Sequence, residues 1–226
     1  MSVVDAPVRL GIDLVGDHPR RGYDACHSFA HPLHAQLSSG KYDVCATMPL
    51  PRSRKAWEAE HRTARKRAWR AASMGYVVYP LEREKWAEDI HSINTSRPRR
   101  QGRPMTNGYN QRPTESALPD YPCKLHAIRN YGVYCLETDS GMLRERVVAY
   151  LTMYRAGDLA LVSQVLGHAD HEPNGIMYLL FRHALEAEGA IAPGVCVYNR
   201  WDSGTDGLRF LKARIGFEET PVEWLP

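Results

Sequence analysis

The chain has 226 residues, 43% hydrophobic and 24% charged, with a formal net charge of +3, a balance typical of a globular protein that buries a full core. No apolar run approaches the roughly 20 residues of a membrane-spanning helix, and the first residues, MSVVDAPVRLGIDLVGD, lack the basic and then apolar pattern of a secretion signal. These features exclude a membrane-spanning protein, and we expect a cytoplasmic location without a membrane partner.

The cysteines and histidines give no metal motif. The 5 cysteines lie far apart without a C-x-x-C pair, so we expect reduced thiols and neither a disulfide framework nor a thiolate zinc site. The segment 26–34 holds a cysteine and several histidines, but Pro32 interrupts the helix that would align them. We therefore predict no metal site.

Residues 1–50 predict an extension packed on the main domain. They carry several prolines and two short apolar pieces, 8–15 and 42–46, which indicate one or two edge strands. Residues 51–226 then form a single domain.

Positive charge is concentrated in one region. Between Arg52 and Arg103 there are 14 Lys or Arg against 6 Asp or Glu, a local balance of +8, so the rest of the chain sums to −5. Residues 53–73 repeat apolar positions at helical spacing, which predicts one helix. The opposite face of that helix is basic and carries Arg62, Arg65, Lys66 and Arg70. This face is either a solvated surface or a contact for phosphate groups.

Residues 76–79 predict a strand, and residues 82–93 predict a helix closed by Asn94. The next stretch, 97–118, is rich in proline and has no apolar period. It carries a second basic cluster, formed by Arg97, Arg99, Arg100 and Arg103. A disordered linker has a similar composition, but Met105 and Tyr109 are apolar anchors that a linker lacks. We therefore favour a lid or mobile loop that covers the substrate.

The second half of the chain predicts a meander followed by alternating elements. Residues 132–138 form a strand, and 146–154 with 159–166 form a hairpin across 155–158. After them come the polar loop 167–175 (GHADHEPNG), a helix over 176–188, a strand over 195–198 and a closing helix within 204–217. This order predicts an α/β (α+β) fold with a mixed, largely antiparallel sheet flanked by helices.

The polar loop is the predicted ligand site. A strand that leads through a glycine-containing loop into a helix presents unpaired N–H groups and the positive end of a helix dipole. Both suit a carbonyl oxygen or a phosphate. We therefore expect the loop amides between Leu166 and Gly175 to hold the oxyanion of an acyl transfer.

The elements from residue 76 onward, with the closing FLKARIGF from Phe210 to Phe217, resemble the GCN5-related N-acetyltransferase (GNAT) superfamily. The resemblance implies a GNAT-like fold, and an acyl-CoA donor whose pyrophosphate is wrapped by loop amides. The family motif is Gln or Arg, two residues, Gly, one residue, and Gly or Ala. Gln164, Gly167 and Ala169 match this spacing, while Asp170 and Glu172 depart from it because they would face the phosphates.

A second resemblance concerns residues 61–81, HRTARKRAWRAASMGYVVYPL. They are similar to a stretch of the Fem-type aminoacyl-tRNA-dependent transferases, in which a basic helix ends in glycine and leads into a strand. The resemblance implies tRNA as the aminoacyl donor, a small amine or peptide as the acceptor and no bound cofactor. The local positive charge agrees with it, because tRNA is a polyanion. The residues predicted to bind nucleic acid are Arg62, Arg65, Lys66, Arg70, Arg97, Arg100 and Arg103.

Either donor leads to the same chemistry, in which an amine attacks an acyl carbonyl and loses a proton. His168 and His171 are the predicted proton acceptors because imidazole titrates near neutral pH. Asp170 or Glu172 is expected to orient the acceptor amine, and Asp202 is the next candidate for the base. The predicted donor-binding residues are Gln164, Gly167, Asn174 and Gly175. The predicted acceptor-binding residues are Glu172, Tyr198 and Asn199.

Three functions remain open from the sequence. They are an aminoacyl-tRNA-dependent transferase that forms an amide, an N-acyltransferase that uses CoA or acetyl-CoA as co-substrate, and a non-catalytic nucleic-acid-binding protein. The absence of P-loop, nucleophile-elbow and His-Glu-x-x-His motifs disfavours nucleotide hydrolysis, serine hydrolysis and metalloprotease chemistry. We favour the first function because of the altered donor loop and the segregated basic charge.

Overall fold

The computed structural model of the chain describes residues 8–10, 44–100, 102–105, 107–113 and 126–224. The one or two edge strands expected near the N terminus correspond to β1, Val8–Leu10, and β2, Val44–Pro49. Strand β1 lies at an edge of its sheet, but β2 lies between the strands Glu218–Trp224 and Val195–Arg200, so its expected edge position is wrong. The segment 26–34, for which no metal site is predicted, lies outside the described residues.

The helices of the described segments are α1 Arg54–Glu60, α2 Arg62–Ser73, α3 Ala87–Thr95, α4 Asn107–Asn110, α5 Ile176–Ile191 and α6 Asp206–Ile215. The strands that follow β2 are β3 Val77–Pro80, β4 Arg99–Arg100, β5 Arg103–Pro104, β6 His126–Asp139, β7 Met142–Ala156, β8 Leu159–Gly167, β9 Val195–Arg200 and β10 Glu218–Trp224. Of the helices in these segments, none is long and apolar enough to cross a membrane.

Eight strands form one sheet in the order β1-β10-β2-β9-β8-β7-β6-β3. The pairs β1/β10 and β8/β9 are parallel, and the other neighbours are antiparallel. Strands β4 and β5 form a separate small hairpin. The predicted mixed, largely antiparallel sheet flanked by helices is confirmed.

Helices cover both faces of this sheet. Successive strand residues point to opposite faces, and on β7 Tyr150 and Leu151 belong to two different core clusters. The Leu151 side packs against α1, α2 and α5 and buries Trp57. The Tyr150 side packs against Ile90 and Ile93 of α3. Each such buried side chain contributes on the order of 1.5–3 kcal/mol to holding its helix on the sheet.

The single helix predicted over 53–73 is wrong. The chain leaves helical geometry at His61, with φ −114° and ψ 60°, so α1 and α2 are separate helices. The cause is tertiary. Trp57 Nε1 donates to the carbonyl of Ile215 at 3.0 Å, and the His61 ring packs on Gly216 so closely that a Cβ there would lie 2.4 Å from it.

Two other boundaries differ from the expectation. The helix predicted from residue 82 begins at Ala87, because residues 83–86 form a turn in which Trp86 packs against the ring of Tyr134. The sequence analysis also missed β10, which follows α6 and pairs with β2. This strand depends on pairing with β2, which lies far away in the sequence, so no local sequence pattern predicts it.

The predicted hairpin of β7 and β8 is confirmed, with the turn at Gly157 and Asp158. Beyond it, the parallel pairing of β8 with β9 covers three register pairs, which join Leu159–Leu161 to Val195–Val197. Strand β8 continues to Gly167 with no further register pair to β9. The two strands therefore part after Leu161, and β8 continues beyond this point to the start of the polar loop.

Candidate functional site

The polar loop 168–175 lies between β8 and α5, next to the gap between β8 and β9. It ends at Gly175, which has a left-handed φ of +88° and immediately precedes the first residue of α5. A Cβ at Gly175 would lie 2.6 Å from the carbonyl oxygen of Arg67 on α2. Glycine is therefore required here, both for its backbone angle and for the close approach of the loop to the basic helix.

The backbone amides of this loop are already hydrogen-bonded. The His168 amide donates to the Val148 carbonyl at 2.8 Å, and the Ala169 amide donates to the Ser96 hydroxyl at 3.1 Å. The later amides of the loop donate to acceptors within it, and residue 173 is a proline without an N–H. The expectation of unpaired amides is wrong, because the loop folds into a turn and a 3₁₀ helix that use its own donors.

His171 is the centre of a chain of hydrogen bonds. The Tyr76 hydroxyl lies 2.8 Å from its Nδ1, and Glu137 Oε1 lies 3.0 Å from its Nε2. Asn174 Nδ2 donates to the same hydroxyl at 2.9 Å. This pattern is satisfied when Tyr76 donates to Nδ1 and the imidazole proton on Nε2 is directed at Glu137. Burial lowers the pKa of His171, although Glu137 acts in the opposite direction, and burial raises the pKa of Tyr76.

Cys135 lies beside this chain. It precedes Glu137 by two residues on β6, so both side chains point to the same face. Its Sγ lies 3.9 Å from Glu137 Oε1, and burial, followed by the charge of Glu137, raises the pKa of the thiol to about 11. Arg146 lies 4.0 Å from the other oxygen of Glu137 and donates to Asp89 at 2.6 Å. The carboxylate of Glu137 is thereby oriented from two sides.

His168 is the more open of the two loop histidines. Its ring meets that of His171 edge-on at 5.4 Å between centroids. Its Nδ1 accepts from the Asp170 amide at 3.3 Å and lies 3.8 Å from Asp170 Oδ2, while its Nε2 makes no hydrogen bond with any residue that the structure describes. The predicted catalytic roles of His168, His171 and Asp170 remain predictions, and of the two imidazoles only His168 has a ring nitrogen available.

Arg100 anchors the loop to the rest of the molecule. Its guanidinium donates at 2.8 to 3.0 Å to the Ile93 carbonyl, the Ser96 hydroxyl and the Gly167 carbonyl. It also pairs with Glu172 at 3.0 Å, and Glu172 pairs with Arg97 at 3.2 Å. Arg100 was expected to bind phosphate and Glu172 the acceptor. A largely buried guanidinium needs these acceptors close by, and the binding roles of both residues stay predictions.

The two donor-binding residues predicted on β8 also make internal contacts. Gln164 Oε1 accepts from Arg83 at 3.3 Å, and Gly167 is packed so that a Cβ would lie 2.9 Å from Met177 Sδ. Met105 and Tyr109, from the segment expected to act as a lid, pack against the core cluster under α3. The donor-binding and lid roles remain predictions.

The predicted acceptor-binding residues follow β9. Tyr198 is buried, and its ring packs against those of Phe181 and Phe217. Asn199 has a φ of +56° and its side chain accepts from the Arg200 amide at 2.7 Å, so it shapes the turn after the strand. Asp202 accepts from the Arg200 guanidinium at 2.6 Å. The Tyr198 ring therefore belongs to the core, and the acceptor-binding roles of Tyr198 and Asn199 stay predictions.

The outer face of α2 has a different character. Arg62, Lys66 and Arg70 are exposed and form no ion pair with the parts of the chain that are described. Trp69 lies on the same helix with 58% of its surface exposed, and its Nε1 donates to Glu58 at 3.0 Å. Arg65 is half-buried. The inner face, formed by Ala64, Ala68 and Ala71, is fully buried and packs toward α5.

No protein-family model matches the chain, and no curated protein matches it in sequence. Solved structures of low sequence identity share its architecture. The crystal structure of FemX matches with a TM-score of 0.55 and 9% identity, over 97% of this chain and 80% of that chain. The chain has a GNAT-like fold.

Two further structures complete the comparison. The C-terminal domain (DUF2156) of a protein described as a lysylphosphatidylglycerol synthetase from Agrobacterium fabrum matches with a TM-score of 0.51 and 13% identity. That match covers 79% of this chain and 58% of the other, so the chain spans little more than half of that domain. A GCN5-related N-acetyltransferase from Kribbella flavida has a TM-score of 0.37 at 14% identity over 65% of this chain and 47% of that chain. The match with FemX confirms the predicted GNAT-like fold.

Sequence reasoning missed Tyr76, Cys135 and Glu137 at this GNAT-fold site. The alternation of β6 was a usable signal, because Cys135 and Glu137 are the two polar positions that share a face of a recognised strand. No local signal placed His171 or Tyr76 against them, since both contacts depend on how the loop and the residue before β3 pack on the sheet.

Proposed function

We propose that the protein is an acyltransferase that moves an aminoacyl group from tRNA to an amine and forms an amide. The outer face of α2 carries this proposal, because Arg62, Lys66 and Arg70 are exposed and unpaired within the described segments. Cations without an existing partner can bind phosphates and release counterions without first breaking an ion pair. The fold shared with FemX agrees with the Fem-type resemblance of residues 61–81.

The position of α2 also supports a tRNA donor. The loop 168–175 contacts this helix, because Gly175 packs against the carbonyl of Arg67. A polyanion bound along α2 therefore lies close to the loop. Trp69 adds an exposed aromatic ring to the basic face, and such rings stack on unpaired bases of RNA. Arg103 is a further exposed cation without an ion pair in the described segments.

Acyl-CoA as the donor has less support. In the GNAT resemblance the pyrophosphate is held by loop amides, and here the amides of 168–175 donate to protein acceptors. Asp170 adds an exposed negative charge to the same loop, which repels a pyrophosphate. We therefore propose that the transfer uses no organic cofactor, and that His168 takes the proton of the attacking amine.

The experiment is tRNA binding measured by fluorescence anisotropy over a series of salt concentrations. For the parent, the logarithm of affinity should fall steeply with the logarithm of salt. In the triple variant Arg62→Ala, Lys66→Ala, Arg70→Ala the slope should become shallower by about 2–3, since each phosphate contact contributes on the order of 0.9. A control that removes equal charge elsewhere, Lys85→Ala, Arg144→Ala, Arg209→Ala, should keep nearly the parental slope.

Equal slopes in the two triple variants would show that net charge, and not the α2 face, drives binding. A thermal shift with acetyl-CoA in the absence of any shift with tRNA would contradict the donor assignment, because a ligand stabilises the fold it binds. Either result would overturn the proposal.

A further inference from the structure

Three side chains of metal-ligand type meet beside the loop 168–175. Cys135 and Glu137 occupy alternate positions of β6, and His171 comes from the loop. Their ligand atoms all lie within 4.8 Å of one another. The three ligands thus come from two elements, strand β6 and the loop. Cys135 and Glu137 have no part in the acyl transfer proposed above.

The distances suit a small tetrahedral ion. Zinc lies about 2.0–2.3 Å from its nitrogen, oxygen and sulfur ligands, which in a tetrahedron places the donor atoms about 3.3–3.6 Å apart. His171 Nε2 lies 3.0 Å from Glu137 Oε1, and Cys135 Sγ lies 3.9 Å from the same oxygen. Shifts of a few tenths of an ångström thus bring these pairs to the ideal separations.

The surroundings also suit an ion. Metal-bound histidine needs an acceptor for the proton on its other nitrogen, and the Tyr76 oxygen lies 2.8 Å from His171 Nδ1. Arg146 lies 4.0 Å from the second oxygen of Glu137, which leaves Oε1 to face the ion. The Glu137 side chain is 37% exposed, so an ion can enter and a fourth position stays open to water or a substrate oxygen.

We propose that Cys135, Glu137 and His171 bind one Zn²⁺ ion. Thiolate and imidazole ligands together select zinc over magnesium or calcium. On binding, the Cys135 thiol releases its proton to solvent, and the His171 proton moves from Nε2 to Nδ1, where the Tyr76 oxygen accepts it. The sequence predicted no metal site, since Cys135 and Glu137 lie far from His171 in the chain.

The test uses Co²⁺ as a spectroscopic stand-in, added to the full chain after EDTA treatment and removal of the chelator. One equivalent should give the visible bands of tetrahedral cobalt together with a near-ultraviolet thiolate charge-transfer band, and Zn²⁺ should displace it. Cys135→Ser should lose the charge-transfer band. Glu137→Gln and His171→Gln should each weaken binding by at least about tenfold, and Tyr76→Phe by about 10–100-fold, as for other hydrogen-bond partners of ligands.

Matched controls separate this site from others in the chain. Cys26→Ser tests the cysteine and histidine segment 26–34, and Glu145→Gln and His183→Gln replace the same residue types elsewhere. All three should bind like the parent. Circular dichroism of each metal-free variant checks folding, and the Glu137 variant is informative even if Cys135→Ser does not fold, because Glu137 is partly exposed.

A charge-transfer band that survives Cys135→Ser, or disappears in Cys26→Ser, would overturn the proposal, as would the absence of any cobalt spectrum at micromolar concentrations. These measurements contain no tRNA and no acyl donor. Failure of the metal site therefore leaves the proposed transferase function untouched, and the reverse also holds.

Discussion

Basic side chains serve opposite purposes on α2 and around the loop 168–175. On α2, Arg62, Lys66 and Arg70 extend into solvent and pair with nothing in the described chain. Beside the loop, the guanidinium of Arg100 is directed inward and donates to four acceptors. The same residue type therefore marks a surface ready for an external anion in one region and a structural clamp in the other.

The difference follows from desolvation. A buried guanidinium loses its hydrogen bonds with water, so the chain supplies carbonyls, a hydroxyl and a carboxylate to the Nη1 and Nη2 groups of Arg100, while its Nε finds no partner among the described residues. An exposed cation keeps its water and gives almost nothing to stability. The exposed cations of α2 can therefore bind an external anion, whereas the polar groups around the loop stabilise the fold. The Nε2 atom of His168 is an exception, because it makes no hydrogen bond with any described residue.

The largest expected effect is on the rate of transfer, and it tests the role of the His168 Nε2 atom. His168→Gln should slow transfer by about 10²–10⁴-fold, the usual contribution of a general base, while the salt slope of tRNA binding stays parental. The assay follows labelled aminoacyl groups from total aminoacyl-tRNA into amides formed with the small-amine fraction of a cell extract. His183→Gln, on α5, provides the control. Parental turnover of His168→Gln would remove this imidazole from proton transfer.

Much of the architecture was predictable because it is encoded locally. The β7–β8 hairpin carries its own turn residues, and α5 carries its own apolar spacing, so both were found from the sequence. The break at His61 and the strand β10 were not, since each depends on a partner far away in the chain.

The site was harder to predict than the fold. Nothing in the residue types distinguishes Arg100 from Arg62, because only the packing of the loop decides which one is buried. The polar composition of 168–175 correctly marked an unusual loop, but not that its amides would satisfy one another. Contacts such as that of Tyr76 with His171 join residues 95 positions apart in the chain.

Lys212 on α6 is the extreme case of a buried basic residue, because its side chain is fully buried. Its Nζ donates to the Arg200 carbonyl at 2.5 Å and to the Ser203 hydroxyl at 2.8 Å. Burial lowers its pKa from 10.5 to about 8, although Asp202 acts in the opposite direction. Between these two values the unfolded chain binds a proton that the folded chain has released, so stability rises with pH across this window, whereas well below it the contribution of Lys212 does not change with pH.

The expected gain is about 3 kcal/mol, because each pKa unit corresponds to about 1.36 kcal/mol. Urea unfolding of the parent and of Lys212→Met at pH about 7, 9 and 10.5 should show a difference that grows in favour of the parent as pH rises. Groups common to both proteins cancel in this difference. A constant difference over the whole range would mean that Lys212 titrates normally in the folded state.

The smallest expected effect is on the free energy of unfolding, and it distinguishes Arg100 from Arg97, two neighbours in the second basic cluster. Arg100→Ala leaves the carbonyls of Ile93 and Gly167 without their donor and should lower the free energy of unfolding by about 2–3 kcal/mol. Arg97→Ala removes a side chain that is 48% exposed and should cost at most about 1 kcal/mol. Urea unfolding at low and high salt measures both. The Arg100 effect should persist in high salt because its partners are mostly neutral and shielded, whereas the Arg97 effect should fade. Equal losses for the two variants would mean that Arg100 is a surface cation like those of α2, and the contrast between the two regions would fail.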